Sequence, residues 1–298
     1  MIKIVILGAN GQLGKELESS LNSNFKTFPI SKNDADITNF SVIRNKLKEI
    51  GPNFVINAAA YTKVDEAEDF KDLAFEVNAY AVKNLAELSN ELNFTLFHFS
   101  TDYIFNQKMN IPISEDHEVD PQNVYGLSKL RGEEFIQQIA LNYFILRVSW
   151  VYGKYGNNFP KTILNLAKDK EEINVVNDQI GCPTPTNLIS QVVRKIIDST
   201  FHKKTIDISK VLNISPNGEC SWFDVAKEIH SHTEKFPNLY SLKSVKPVSS
   251  SEFPSKAKRP NYSYLSCEKL DDQIKINRMH WKVYLNEFLE DLTCEKNN

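Results

Sequence analysis

The chain of 298 residues has little that would staple, anchor or extend it. Its four cysteines, Cys182, Cys220, Cys267 and Cys294, lie far apart with no C-x-x-C pair, which argues against a disulfide framework and against a zinc cluster. Ten glycines and twelve prolines are too few for a fibrous or disordered chain. No apolar run approaches membrane-spanning length. A net charge of −3 and a pI near 6.1 offer no basic surface for nucleic acid or anionic lipid. Of the six histidines, His230 and His232 form the tightest pair, but beside a helical segment they read as a solvated helix end rather than a ligand set.

What is present is an ordinary folded composition, 41% hydrophobic and 24% charged. The start "MIKIVILGANG" runs directly into a glycine turn without a small-residue cleavage site, which reads as a cytosolic beginning. Short apolar runs then alternate with helix-length amphipathic stretches: "IKIVILG" and 11–22, "FKTFPI" and 39–50, "NFVINAAA" and 72–92, "FTLFHFS" and 123–141, then "YFILRVSW". Five such runs are the pattern of βαβ units, which predicts an α/β fold with a doubly wound, Rossmann-type parallel sheet. The second half predicts a smaller α/β lobe. It has a strand and Pro-rich turn in "EEINVVNDQIGCPTPT", an amphipathic stretch at 187–198 and a short strand "KTIDIS". A helix at 221–232 follows with Ser221 as N-cap, then irregular chain over 233–266 and a last helix near 284–294. The length suggests two units, 1–172 with 186–210 returning to it, and a substrate lobe over 173–298.

Ligands on doubly wound sheets bind beyond the carboxyl ends of the strands, so the residues after each strand are the candidate site. After strand one, Gly8, Gly11 and Gly14 are spaced G-x-x-G-x-x-G and lead into a helix, the context in which glycines let the backbone approach a pyrophosphate. This places Gly8, Asn10, Gly11, Gln12, Leu13 and Gly14 along a dinucleotide. Asp36 and Ile37 stand where they can bind and cover an adenine. Strand two ends in Ile30, Ser31 and Lys32 instead of the acid that holds a ribose 2′-hydroxyl, so Ser31 and Lys32 can take a 2′-phosphate, and NADPH is as plausible as NADH.

The segment "NVYGLSK" holds Tyr125 and Lys129 four positions apart. The chain's tyrosine and lysine content predicts about one such pair by chance, and there is one. Position gives it meaning. Ser100, Thr101 and Asp102 end strand four, and the Tyr125 helix begins some twenty residues later, so a hydroxyl, a phenol and an ammonium can converge beside a nicotinamide. A neighbouring ammonium favours the phenolate, which makes Tyr125 a proton relay to a substrate oxygen.

The glycine loop, "NAAAYTKVDEAE", "STDYIF", "NVYGLSK", "RVSWVYG", "NNF", "DQIGCPT" and "SWFDVA" resemble, in order, the extended short-chain dehydrogenases, and within them the dTDP-4-dehydrorhamnose reductase group. The resemblance spans nearly the whole chain. It implies NADPH- or NADH-dependent reduction of the C4 ketone of a dTDP-4-dehydro sugar, with Thr101, Tyr125 and Lys129 as the catalytic residues. It implies that Ala58, Ala59, Ala60 and Thr62 lie along the cofactor and that Val64, Asp65, Asp102, Tyr103 and Trp150 line the sugar site. Arg259 in "AKRPNYS" becomes a candidate for the substrate's phosphates, with a surface ion pair as the plainer alternative. Some members of the group hold magnesium at a homodimer interface, and Glu16 matches one of their ligand positions. A regulatory subunit of methionine adenosyltransferase also resembles these reductases, so a partner protein without turnover is the competing expectation.

Overall fold

In the computed structural model, residues 1–108, 110–201, 208–253 and 255–294 are described. Six parallel strands form the central sheet: β1 (Lys3–Leu7), β2 (Lys26–Ile30), β3 (Phe54–Asn57), β4 (Thr95–Thr101), β5 (Tyr143–Val148) and β6 (Val211–Ile214). Their order is β6-β5-β4-β3-β1-β2. The sheet is covered on both faces because successive strand side chains point to opposite sides. Ile4 and Ile6 join one core cluster with Leu17, Phe97 and Leu188, while Val5 and Leu7 join another with Ile43, Leu47 and Leu85. Each fully buried Leu or Ile contributes about 1.5–3 kcal/mol, so alternation along four residues of β1 commits both layers.

Helices Gln12–Leu21 and Thr186–Phe201 pack against each other on the first face. Helices Phe40–Ile50, Ala81–Glu91 and Val124–Ile139 cover the second. Side chains set several helix starts: Asn39 accepts from Val42 N, Asn123 from Gly126 N, and Ser221 closes a capping box with Asp224, as expected for Ser221.

Elsewhere the structure corrects the expectations. The stretch 72–92 is not one regular helix: Lys71–Phe75 passes through a π-helical turn at Glu76–Tyr80 before Ala81–Glu91. The inserted residue buries Asn78, whose amide accepts from Tyr61 N, and donates to Tyr61 O and Ser128 Oγ. Of the "KTIDIS" strand, residues 204–207 lie outside the described residues; Ile208 and Ser209 are not extended in a strand, and the sheet gains Val211–Ile214 instead. Within 233–266, Ser244–Val248 forms a strand parallel to Glu172–Val176. Pro247 hid it, yet proline is acceptable at the edge of a two-stranded sheet. The last helix starts at Trp281, and Glu268–Ile274 adds a further one. His232 is not solvated: it is buried against Phe236.

A third cluster, with Tyr152, Ile163, Leu164, Val225, Ile229, Trp281 and Leu285, unites helices Phe159–Asp169, Trp222–Thr233 and Trp281–Cys294 around the small sheet. Among the described residues, no helix is long and apolar enough to cross a membrane.

Candidate active site

The sheet order turns between β1 and β3, and the crevice beyond their carboxyl ends is the expected ligand position. Gly8 occupies it with φ +75°, and a Cβ there would come within 2.6 Å of Ala59 N. A Cβ on Gly14 would collide with Gly8 O. The glycine turn is therefore pressed against the β3 loop and opens a bare backbone cradle at the start of helix Gln12–Leu21. A cavity of about 350 Å³ lies against it. Gly8, Asn10, Gly11, Lys32, Asp36, Ile37 and Ala58 to Ala60 all line it, together with Ala35, Tyr61, Leu73 and Val77.

Other expected cofactor residues are placed differently. Ser31 donates its hydroxyl to Asp34 at 2.6 Å and is buried in that turn, so it does not line the cavity; Lys32 does, in a salt bridge to Asp36. Leu13 packs against the core, and Thr62 lines an adjoining cavity with Phe70 and Lys63. Gln12 turns away from the cradle and donates to Val151 O at 3.1 Å.

At the end of β4, Thr101 and Asp102 are buried, and Thr101 donates to Asp102 Oδ1 at 3.1 Å. Among the described residues, Asp102 Oδ2 and Ser100 Oγ have no hydrogen-bond partner. Desolvation pushes the Asp102 carboxyl up to about 6, with the hydrogen bonds from Ser263 and Thr101 opposing it. Tyr125 is partly buried and its ring meets Tyr103 edge-on, with centroids 5.5 Å apart. Burial raises the Tyr125 phenol above its ordinary value; Thr101 pulls the other way, and Asp102 and Tyr103 add to the rise. Tyr103 is itself pushed up to about 12 by burial.

Lys129 departs from the expectation. Its amine is buried and lies 2.6 Å from Phe99 O and 3.1 Å from His98 Nε2, so it faces β4 rather than the Tyr125 hydroxyl. An adjacent ammonium therefore does not hold Tyr125 toward phenolate here; the phenol keeps its proton.

A second, larger cavity of about 720 Å³ opens on the far side of Asp65. Asp65 binds Arg259 at 2.8 Å and accepts from Ala257 N, and Arg259 also donates to the Tyr103 hydroxyl. The ion pair, the plainer alternative for Arg259, is present, and Arg259 also lines this cavity. Val64 opens the short helix Val64–Ala67 that carries Asp65. Trp150 stands behind the wall with φ +47°, a strained backbone for an aromatic residue. Its ring lies flat on Trp222, 3.6 Å between centroids, and Trp222 lines the cavity with Phe159, Thr162, Leu166 and Val176. These wall residues were not foreseen; "SWFDVA" and "NNF" marked the place, but nothing local says that they meet.

Glu16 has the Thr186 hydroxyl at 3.3 Å, and desolvation raises its carboxyl. Among the described residues no group of three His, Cys, Asp or Glu is arranged to hold a metal.

The family profile described as the RmlD substrate binding domain matches residues 2–294. A dTDP-4-dehydrorhamnose reductase of Escherichia coli is 33% identical over 98% of both chains. The chain belongs to the dTDP-4-dehydrorhamnose reductase family. Another relative, a spore coat polysaccharide biosynthesis protein of Bacillus subtilis, is 34% identical over 98% of both chains. The crystal structure of a family member from Bacillus anthracis in complex with NADP is 38% identical and superposes with a TM-score of 0.90, covering 98% of this chain and 100% of that one.

Proposed function

We propose that this protein reduces the C4 ketone of dTDP-4-dehydro-β-L-rhamnose to dTDP-L-rhamnose, drawing on NADPH or NADH, as a step toward cell-surface polysaccharide. The observation that carries this reading is the bare glycine cradle after β1, lined onward by Lys32, Asp36 and Ile37, in a sheet whose β4 ends in Thr101, with Tyr125 stacked edge-on against Tyr103, which accepts from Arg259. The bare backbone at Gly8, Gly11 and Gly14, where a side chain on Gly8 or Gly14 would collide, fits a pyrophosphate. Lys32 beside Asp36 gives the adenosine end a cation for a 2′-phosphate.

When bound, the dinucleotide supplies the hydride. The chain's own residues supply alignment and the proton. Tyr125 in its phenol form is the acid that protonates the C4 oxygen as negative charge develops there. Thr101 donates to the same oxygen once its single hydroxyl proton turns from Asp102 Oδ1 to the substrate. Lys129 binds the nicotinamide ribose once it leaves His98. In the second cavity, Trp222 offers a flat apolar face to the thymine, and Arg259 is the cation for the diphosphate. A cytoplasmic setting goes with this chemistry, since coenzyme and sugar nucleotide are pools of that compartment. A homodimer, with Glu16 as a magnesium ligand at its interface, goes with this reading.

The test is a coupled assay in which dTDP-4-dehydrorhamnose is generated from dTDP-glucose and oxidation of NADPH and of NADH is followed separately. Oxidation with dTDP-rhamnose as product is expected. Coenzyme binding without oxidation of either form would favour another keto sugar or a regulatory subunit.

A further inference from the structure

Asn57 at the end of β3 and His98 on β4 are cross-strand partners in register, both buried, and they continue to Lys129. Asn57 Oδ1 accepts from Ala59 N at 3.2 Å, which fixes the amide orientation: turning it would set its NH2 against that N–H. Asn57 Nδ2 is then 3.2 Å from His98 Nδ1 and can only donate. The lone pair of the imidazole must therefore be on Nδ1, and its proton on Nε2. That proton points at Lys129 Nζ, 3.1 Å away. An ammonium has three donors and no acceptor. With Lys129 charged, one donor must face another somewhere along the chain from Ala59 to Nζ; with Lys129 neutral, every contact pairs a donor with an acceptor, and the amine still donates to Phe99 O.

We infer that Asn57 and His98 are positioning residues that favour the neutral amine of Lys129 in the cofactor-free protein, so that Lys129 gives up its proton at lower pH than an ordinary lysine and holds it more firmly once it turns to a ligand. The surroundings agree. Burial lowers the lysine to about 8 and holds His98 well below its ordinary value. Glu133, one turn along the same helix, pulls the lysine up, but both of its oxygens are engaged by Arg147 of β5. The helix also packs against the Asp102–Ile104 turn and the Lys71–Glu91 stretch. Their titratable groups, among them Asp102, Tyr103, Glu76 and Lys83, contribute nothing comparable at Lys129. The consequence for coenzyme binding rests on the reductase reading. The state of Lys129 does not, so the two fail separately.

The experiment uses the coenzyme-free full chain, with lysine labelled by 13C at Cε and histidine by 15N. The lysine resonance missing from Lys129→Met is followed against pH, and the 15N shifts of His98 report its tautomer. The expected result is a midpoint near 8, at least one unit below the ordinary lysine value of about 10.4, with His98 protonated on Nε2. Asn57→Asp replaces the obligate donor by an acceptor. It should move the His98 proton to Nδ1 and raise the Lys129 midpoint by at least one unit. A midpoint with the ordinary lysines, or a wild-type His98 protonated on Nδ1, overturns the inference, and neither reading depends on Asn57→Asp folding.

Discussion

Arg147 of β5 grips Glu133 of the Tyr125 helix with Nε at 3.0 Å and Nη2 at 2.7 Å, both side chains almost completely buried. Arg147 also donates to Glu115 O, and Glu115 accepts from Asn213 N on β6. This pair fixes the helix that presents Tyr125 and Lys129 to the end of the sheet. Removing one partner strands a buried charge, so Arg147→Met should cost about 3–5 kcal/mol in denaturant unfolding. The double variant Glu133→Gln, Arg147→Met, with no buried charge left, should lose clearly less than the single variant. Equal losses would mean that the ion pair does not couple the two elements.

Tyr125→Phe keeps the edge-on ring contact with Tyr103 and removes only the acid. Turnover should fall by roughly 10² to 10⁴, with coenzyme affinity measured by fluorescence titration nearly unchanged. An unaltered kcat would take Tyr125 out of the proton transfer.

Gly181 touches the back of Trp150; a Cβ there would stand 2.7 Å from the indole. Gly181→Ala should tilt Trp150 and, through the stack, Trp222. The expected signature is a rise in KM for the sugar nucleotide of at least about tenfold, worth ~1.4 kcal/mol, with coenzyme dissociation unaffected. Matching losses for both ligands would point to general unfolding of the region.

Asp102 makes a pH prediction with a definite sign. Its carboxyl sits near 6 in the folded protein because of burial, above the ordinary value. The folded state therefore binds more protons than the unfolded chain between pH about 4 and about 6. Stability from this group is present below that window and is lost as pH rises through it, with a slope of up to about 1.4 kcal/mol per pH unit, flat above. Asp102→Asn should remove that slope from the stability-versus-pH curve. An unchanged curve would place the Asp102 carboxyl at its ordinary value.

Much of this protein was legible along the chain. Apolar runs of strand length separated by amphipathic stretches specify a parallel sheet, because a strand buried on both faces cannot alternate with polar residues. The glycine spacing after β1, the hydroxyls after β4 and the Tyr125 helix fall at strand ends, and strand ends are where such a sheet has its crevice. Those are local signals with a topological rule attached. Tertiary structure alone decided what the chain could not state. Periodicity does not register the one extra residue of the π turn that buries Asn78, nor the edge strand that contains Pro247. Ser31 stands at the end of β2 where a phosphate ligand belongs, and only the tertiary structure shows its hydroxyl bound to Asp34. Trp150 and Trp222, Asn57 and His98, and Glu133 and Arg147 are 14 to 72 positions apart, and each pair acts only through distance and orientation. A hydrogen bond or a stack is set by ångströms, and sequence separation carries no information about those.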